Sequence, residues 1–145
     1  DRLAMCRLAA ETLPFCTVDG CELERAGVSY TVDTVRLFRN RYPEAELVLL
    51  VGSDMFLSFE RWKSWQQILR QVTLCTAARS TGELLQLRRH AQQLMPYGST
   101  LVFDFPVLEV SSTQIRRRLK EGLDCSQLLP EKVYQQILQQ NLYRG

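Results

Sequence analysis

The sequence lacks any long hydrophobic run. Its longest apolar stretch, Leu47 to Val51, has the length of a strand, whereas a membrane-spanning helix needs about 20 predominantly apolar residues. The first residues show no signal-peptide pattern. We therefore expect no membrane partner and a cytoplasmic location.

Neither positive nor negative charge dominates the sequence. Eighteen basic and sixteen acidic residues leave a formal net charge of +2, which is too small to indicate a nucleic-acid-binding protein. The hydrophobic fraction of 46% and the charged fraction of 23% are ordinary for a globular chain. A length of 145 residues suits one domain and leaves no room for two independent cores.

Several short chemical motifs are missing. There is no paired C-x-x-C, no phosphate-binding G-x-x-x-x-G-K-[ST] loop and no G-x-G-x-x-G fingerprint. The five cysteines therefore predict buried free thiols in a reducing compartment, and no metal site. The single histidine, His90, lies beside Arg88 and Arg89, which predicts an exposed side chain outside any Ser–His–Asp or Cys–His set.

What is present is an alternation of strand and helix patterns. It predicts an α/β fold, with a parallel sheet and helices on both faces, in a single domain over 1–145. The apolar spacing Leu3, Cys6, Ala10 and Leu13 predicts a buried stripe on the first helix. Helices are predicted over 1–13, 31–41 (with Ser29 as N-cap), 66–70, 83–95, from about 112, and over 130–140. Strands or extended segments are predicted over 15–23, 46–51 (covered on both faces), 72–77 and 101–105.

Polar groups follow three of the predicted strands. Gly52-Ser53-Asp54 comes directly after the strand 46–51, Arg79 follows 72–77, and Ser111-Ser112-Thr113 follows 101–105 after a short loop. Ligands of open parallel sheets bind at the carboxyl ends of the strands. We therefore expect all three groups to converge on one edge of the sheet.

The segment Val110–Arg116 is suited to bind an anion. Ser111, Ser112 and Thr113 offer hydroxyls at a helix start, where free backbone N–H groups and the helix dipole favour phosphate. Arg116 lies one turn later and can reach the same anion with two guanidinium N–H groups. The alternative is a plain N-cap followed by a solvated basic face.

Three further positions have both a functional and a structural interpretation. Gly52 and Asp54 can approach and hold ribose hydroxyls, or simply form a strand-ending turn. Trp62 and Trp65 can stack on a planar ring, or belong to the core. The amides of Ser29–Thr31 can bind a ligand, or the segment can serve only as a helix cap.

Taken together, these segments resemble a known enzyme family. Val110–Arg116 is similar to the I-S-S-T-x-I-R motif of nucleotidyltransferases. Four other segments resemble bacterial nicotinate-mononucleotide adenylyltransferases, and the resemblance extends over essentially all 145 residues. They are Ser29–Val35, Leu50–Asp54, Leu57–Trp62 and the ending 128–143.

The resemblance implies a Rossmann-like fold and the reaction of ATP with nicotinate mononucleotide, with Mg²⁺, to give deamido-NAD and pyrophosphate. It also implies residue roles. The ATP phosphates would be held by Ser111, Ser112, Thr113 and Arg116, with Arg116 as the catalytic charge, and a ribose of ATP would contact Gly52 and Asp54. The pyridine ring would stack on Trp62, and its carboxylate side would bind Tyr30 and Thr31. A phosphate would also contact Arg79.

The chain also departs from this family. The family's N-terminal G-x-F-D-P-x-H-x-G-H loop and its lysine-bearing substrate loop do not occur, and Arg79 is followed by Ser80-Thr81-Gly82 where relatives often carry proline and glycine. We therefore expect that an N-terminal segment is missing, and that the isolated 145 residues are nearly inactive. Normal turnover by them would contradict this. An uncovered sheet edge would favour a partner or a homo-oligomer.

Two classes of alternative remain. One is a sister transferase that adenylylates phosphopantetheine or nicotinamide mononucleotide; Trp62 and Ser29–Thr31 favour the nicotinate form. The other is a non-catalytic nucleotide-binding or interaction module that kept the fold without the histidine loop.

Overall fold

The computed structural model describes residues 1–78, 80–104 and 110–143, with Thr81 described by its backbone alone. These residues form two compact units. The sheet unit consists of residues 21–104, and the helical unit combines residues 1–20 with 110–143. The prediction that 1–145 form one nucleotidyltransferase domain stays a prediction.

The sheet unit contains three parallel strands in the order β1-β2-β3, as the alternating pattern predicted. They are β1 (Val48–Leu50), β2 (Thr73–Ala77) and β3 (Thr100–Phe103). Leu49 is in register with Leu74, and Leu74 with Thr100. Because all three strands run the same way, their carboxyl ends meet at one edge.

Helices flank this sheet and begin where local chemistry allows. They are α2 (Thr31–Arg41), α3 (Ser53–Leu57), a 3₁₀ turn (Phe59–Arg61), α4 (Trp65–Leu69) and α5 (Thr81–Leu94). The α2 helix ends before Pro43, since a proline disfavours helical backbone in the residue that precedes it. The α5 helix is capped by Ser80, whose hydroxyl accepts from the Glu83 amide at 3.4 Å.

The core of the sheet unit lies between β2 and these helices. Phe56, Phe59, Leu74 and Leu87 are fully buried, and burial of each such side chain contributes about 1.5–3 kcal/mol. The helical periodicity predicted for 83–95 is confirmed, since Leu84, Leu87 and Leu94 are buried and Ala91 packs against the same cluster. The periodicity of α2 is confirmed by buried Val32 and Val35.

The prediction that the first strand is covered on both faces is wrong. Val48 is 60% and Leu50 69% exposed, whereas Leu49 packs against the core. The reason is that alternate side chains point to opposite faces and that the face carrying Val48 and Leu50 stays exposed, as Leu101, in register across Cys75, also shows at 48% exposure. An unbroken apolar run therefore belongs here to a strand with one covered face.

The α2 helix is tied to the sheet by one arginine. The guanidinium of Arg39 donates to the carbonyl oxygens of Pro43 at 3.2 Å, Ala45 at 2.7 Å and Gln71 at 2.7 Å. These bonds connect the end of α2 to the segments that enter β1 and β2. The start of α2 is thereby held at a fixed place beside the sheet.

The helical unit packs α1 (Arg2–Ala10), α6 (Ser112–Lys120) and α7 (Glu131–Gln139) around its own core. That core contains Leu119, Cys125, Val133 and Ile137. It is a cluster separate from the core of the sheet unit, so the expectation that 145 residues leave no room for a second core is not met. The predicted stripe on α1 is wrong, because Cys6 is exposed and the packed side chains are Met5, Leu8 and Ala9. The Nζ atom of Lys132 lies 2.5 Å from the Glu11 carboxylate.

Other boundaries shift for local reasons. Residues 15–23 form turns and irregular backbone instead of a strand, with Phe15 82% and Leu23 70% exposed. The N-cap of α2 is Tyr30, not Ser29, and Pro130 is the N-cap of α7. The helical turns over 53–61 were not predicted. Among the described residues, no helix is both long and apolar enough to cross a membrane.

Candidate functional site

A cavity of about 260 Å³ opens beside the start of α2 in the sheet unit. Pockets for drug-sized molecules span roughly 300–1,000 Å³, so this one suits a single ring with its substituent. Its lining contains the predicted segment Ser29–Thr31 and Trp62. It also contains three residues that were not predicted, namely Arg61, Lys63 and Ile68. The structure therefore brings Tyr30, Thr31 and Trp62 together, as the resemblance implied.

The segment before α2 is held by a chain of hydrogen bonds. The Arg25 guanidinium donates to the hydroxyls of Ser29 at 2.9 Å and Thr34 at 2.7 Å, and the Thr34 hydroxyl donates to Glu22 at 2.5 Å. The N-cap residue, Tyr30, makes no side-chain hydrogen bond to the helix. The Asp33 amide donates to the backbone carbonyl oxygen of Tyr30 at 3.0 Å, so the amides of Thr31 and Val32 are the ones that the start of the helix offers to an anion.

Trp62 forms a wall of the cavity and belongs partly to the core. Its ring centroid lies 5.2 Å from that of Phe59 at an interplanar angle of 49°, and the side chain is half-buried. Trp65 instead packs edge-on against Tyr97, at 4.8 Å and 70°. Trp65 and Trp62 both pack against the core, and Trp62 also lines the cavity; its stacking on a planar ring stays a prediction.

Two cations border this cavity. The ammonium of Lys63 lies 3.9 Å from the centroid of the Tyr30 ring, a cation–π contact. Arg61 stands on the other side of Trp62 in the sequence and lines the same cavity. Within the described part of the chain, no carboxylate lies within 4.0 Å of either cation. The neighbouring carboxylates have other partners, since Asp33 pairs with Arg36 at 3.3 Å and Glu60 with His90.

Gly52 and Asp54 lie where the sequence predicted, at the carboxyl end of β1. Gly52 is the N-cap of α3 with φ −66°, so this turn does not use the positive φ that glycine permits. Ser53 is buried, whereas the Asp54 carboxylate is exposed in the first turn of α3. Asp54 is thus accessible to a ligand hydroxyl at the edge of the sheet.

The predicted phosphate-binding residues lie at the start of α6 in the helical unit. Ser111 is the N-cap, and its hydroxyl accepts from the Gln114 amide at 3.1 Å. Ser112, Thr113 and Arg116 are exposed. The structure confirms that a serine caps this helix, and the capping hydrogen bond uses the hydroxyl of Ser111 alone. Because these residues and Gly52–Asp54 belong to different units, their convergence stays a prediction.

His90 is not the exposed side chain that its arginine neighbours suggested. Only 13% of the side chain is exposed, and its Nε2 atom lies 3.1 Å from Glu60 Oε2. The N–H direction does not meet hydrogen-bond geometry, so the contact is ionic in character when His90 is protonated. The ring also packs edge-on against Phe56 at 5.7 Å. The helical spacing from buried Leu87 and Leu94 placed His90 near the core face, a signal that its charged neighbours obscured.

None of the five cysteines forms a disulfide, as predicted, but only part of the burial prediction holds. Cys75 and Cys125 are buried, and burial raises the pKa of the Cys75 thiol; Cys6 and Cys16 are exposed. The described residues contain no group of three or more His, Cys, Asp or Glu side chains that could hold a metal ion. Arg79 lies outside the described residues.

Sequence reasoning missed Arg61, Lys63 and Ile68 as cavity residues. A signal was available for the first two, because a cation stands on each side of Trp62 in the segment Glu60–Ser64. No spacing rule could reveal Ile68, which reaches the cavity only because α4 folds beneath it.

The matching family model is described as cytidylyltransferase-like and covers residues 1–118. The chain is 35% identical over 143 residues to a probable nicotinate-nucleotide adenylyltransferase of Borrelia turicatae, covering 99% of this chain and 70% of the relative. It is 38% identical over 148 residues to a protein of Neisseria meningitidis with the same description, covering 99% and 73%. The chain belongs to the nicotinate-nucleotide adenylyltransferase family. The predicted resemblance and enzyme class are confirmed.

Two solved structures show the fold of this family. They are of the Plasmodium falciparum nicotinic acid mononucleotide adenylyltransferase, in complexes with APC and with NaAD. The TM-scores are 0.62 and 0.60 at 15% identity, over 81% and 80% of this chain. The chain spans 60% and 58% of the length of those structures. The α/β, Rossmann-like architecture predicted for the adenylyltransferase family is thereby confirmed.

Proposed function

We propose that this chain takes part in NAD synthesis by transferring the adenylyl group of ATP to nicotinate mononucleotide. A phosphate oxygen of the mononucleotide attacks the α-phosphorus of ATP. The bond from that phosphorus to the bridging oxygen of the β-phosphate breaks, and pyrophosphate leaves. The products are deamido-NAD and pyrophosphate.

The observation that carries this proposal is the cavity beside α2. It combines an aromatic wall, Trp62, with free helical N–H groups and the cations Arg61 and Lys63. A planar ring with a negatively charged substituent is complementary to that set. Tyr30 and Thr31 would hold the carboxylate side, and Trp62 would contact the face of the ring.

ATP would be held by residues at two strand-following turns. Gly52 and Asp54 would contact a ribose, and the start of α6 would hold the phosphates through Ser111, Ser112 and Thr113. Arg116 would add a guanidinium that stabilises the charge developing on the phosphates as pyrophosphate leaves. Arg79 would add a further phosphate contact.

Magnesium fits this scheme as a companion of ATP. Mg²⁺ keeps several waters and is bound by substrate phosphates with one or two carboxylates, so the lack of a dense acidic cluster in the described residues agrees with that mode. When bound, it neutralises phosphate charge. The residues at the start of α6 would position the ATP phosphates and stabilise their negative charge. The near inactivity expected of the isolated 145 residues, the cytoplasmic location and a homo-oligomer stay predictions.

Arg116→Ala tests the proposed phosphate role. In the natural protein that carries this sequence, we expect kcat/KM to fall about 100-fold or more, because a charge aimed at the transition state is lost. Arg117→Ala is a matched control in the same helix, since Arg117 is exposed and pairs only loosely with Glu121 at 3.9 Å. Equal losses in the two variants, with folding intact, would contradict the assignment.

A further inference from the structure

We propose that the ammonium group of Lys63 determines the preference for the acid over the amide form of the pyridine nucleotide. The inference rests on the proposed function because it concerns the same cavity. It assigns to Lys63 a specificity role that none of the sequence motifs indicated.

The shape of the cavity cannot distinguish the acid from the amide. A carboxylate and a carboxamide on the same ring have nearly the same size, so the walls contributed by Trp62 and Tyr30 accept both. The net charges of the carboxylate and the carboxamide, in contrast, differ by one unit. Discrimination at this cavity must therefore come from groups whose interaction depends on that charge.

Lys63 is fixed where it can act on that difference. Its Nζ atom lies 3.9 Å from the centroid of the Tyr30 ring, and Tyr30 directly precedes the first turn of α2. The cation–π contact therefore keeps the ammonium of this exposed lysine beside the residue that caps α2. For Arg61, no ring contact or hydrogen bond among the described residues provides a similar anchor.

The cavity lining contains two cations and no carboxylate. Neither Lys63 nor Arg61 has a carboxylate partner within 4.0 Å in the described part of the molecule; of the neighbouring acids, Asp33 pairs with Arg36 and Glu60 lies beside His90. An aromatic face also leaves the ammonium N–H donors free, because the ring neutralises no charge. A ligand carboxylate would provide the missing counter-charge, whereas a neutral carboxamide could offer its carbonyl oxygen as an acceptor but no charge to balance the ammonium.

The experiment compares Lys63→Met with the natural protein. Methionine keeps an unbranched side chain and removes the charge. Nicotinate mononucleotide and nicotinamide mononucleotide are each titrated in a calorimeter, and their rates of adenylyl transfer are measured. We expect the acid-to-amide affinity ratio to fall about tenfold, entirely through weaker acid binding. Added salt should weaken acid binding in the natural protein more than in the variant.

Two controls complete the design. Lys120→Met removes one charge from the exposed end of α6 and should leave the ratio unchanged. Lys63→Arg keeps a cation that also stacks on rings and should keep most of the preference. An unchanged ratio in Lys63→Met, or equal weakening of acid and amide, would overturn the proposal. Absence of transfer by the natural protein would overturn the proposed function instead, and the binding ratio would still decide the role of Lys63.

Discussion

Asp124, a single carboxylate in the helical unit, has a pKa below its ordinary value because Ser126 binds its charged form. The Ser126 amide donates to Oδ1 at 3.0 Å and the Ser126 hydroxyl to Oδ2 at 2.8 Å. Tyr134 adds a further hydrogen bond. These contacts link the turn after α6 to α7. Because they favour the ionised form, their contribution to stability depends on pH.

We expect Asp124→Asn to lower the melting temperature above about pH 4, the ordinary pKa of an aspartate. A group whose pKa is lowered by folding stabilises the folded state above its unfolded value, and this contribution disappears as pH falls through the folded value. The difference in melting temperature between Asp124→Asn and the natural protein should therefore shrink as the pH falls below the ordinary value and through the lowered pKa of Asp124. Glu121→Gln is the control, since that residue is exposed and loosely paired. A difference that does not change with pH would contradict the account.

At the scale of elements, the connection between α5 and β3 depends on Gly98. A Cβ atom at this position would lie 2.2 Å from the Leu69 carbonyl oxygen and 2.9 Å from the Leu69 Cγ atom. The first of these atoms belongs to the backbone, so it cannot move aside as a flexible side chain would. Only glycine therefore allows this turn to pass directly over the end of α4.

Gly98→Ala should lower the free energy of unfolding by more than about 2 kcal/mol, because the turn or α4 must shift. The matched variant is Gly82→Ala in α5, where the added methyl group meets nothing within 4 Å. Since alanine favours helix, this second variant should be neutral or more stable by up to about 1 kcal/mol. Urea unfolding measures both. The prediction fails if Gly98→Ala is as stable as Gly82→Ala.

Element type could be predicted from the sequence where periodicity and stop signals agreed. The helix over 31–41 was predicted with its observed bounds. The α5 helix was predicted from the spacing of its leucines, which the structure buries. Both predictions were possible because an amphipathic pattern depends only on local spacing. The turns over 15–23 were not, because mixed apolar residues resemble a strand until the partner that would pair with them is known. The exposure of Val48 and Leu50 likewise depends on which elements pack over each face of the sheet, which no local pattern encodes.

The candidate site could be predicted to the same extent. The order of the predicted strands and helices placed Gly52 and Asp54 in the turn after a strand and Ser111 at the start of a helix, and the structure has them there. The cations beside Trp62 could not be placed, because the contact between Lys63 and Tyr30 joins residues separated by 33 positions and depends on how α2 packs beside α4.

At the scale of the whole molecule, the chemistry is divided between two units. The sheet unit carries the cavity beside α2 and the turn at Gly52–Asp54 that is proposed to contact a ribose, and the helical unit carries the proposed phosphate anchor at α6. Each unit has its own buried core. Under the proposed function, adenylyl transfer therefore uses residues of both units, whereas the residues proposed to bind the pyridine ring all belong to the sheet unit.

The most direct test of adenylyl transfer uses the natural protein with ATP that carries a label on its α-phosphate, together with nicotinate mononucleotide and Mg²⁺. Mass spectrometry then follows the label. The account predicts labelled deamido-NAD and an equal amount of unlabelled pyrophosphate, both absent when the mononucleotide is withheld. Label that stays in ATP, or appears in AMP or ADP without any dinucleotide, would contradict it.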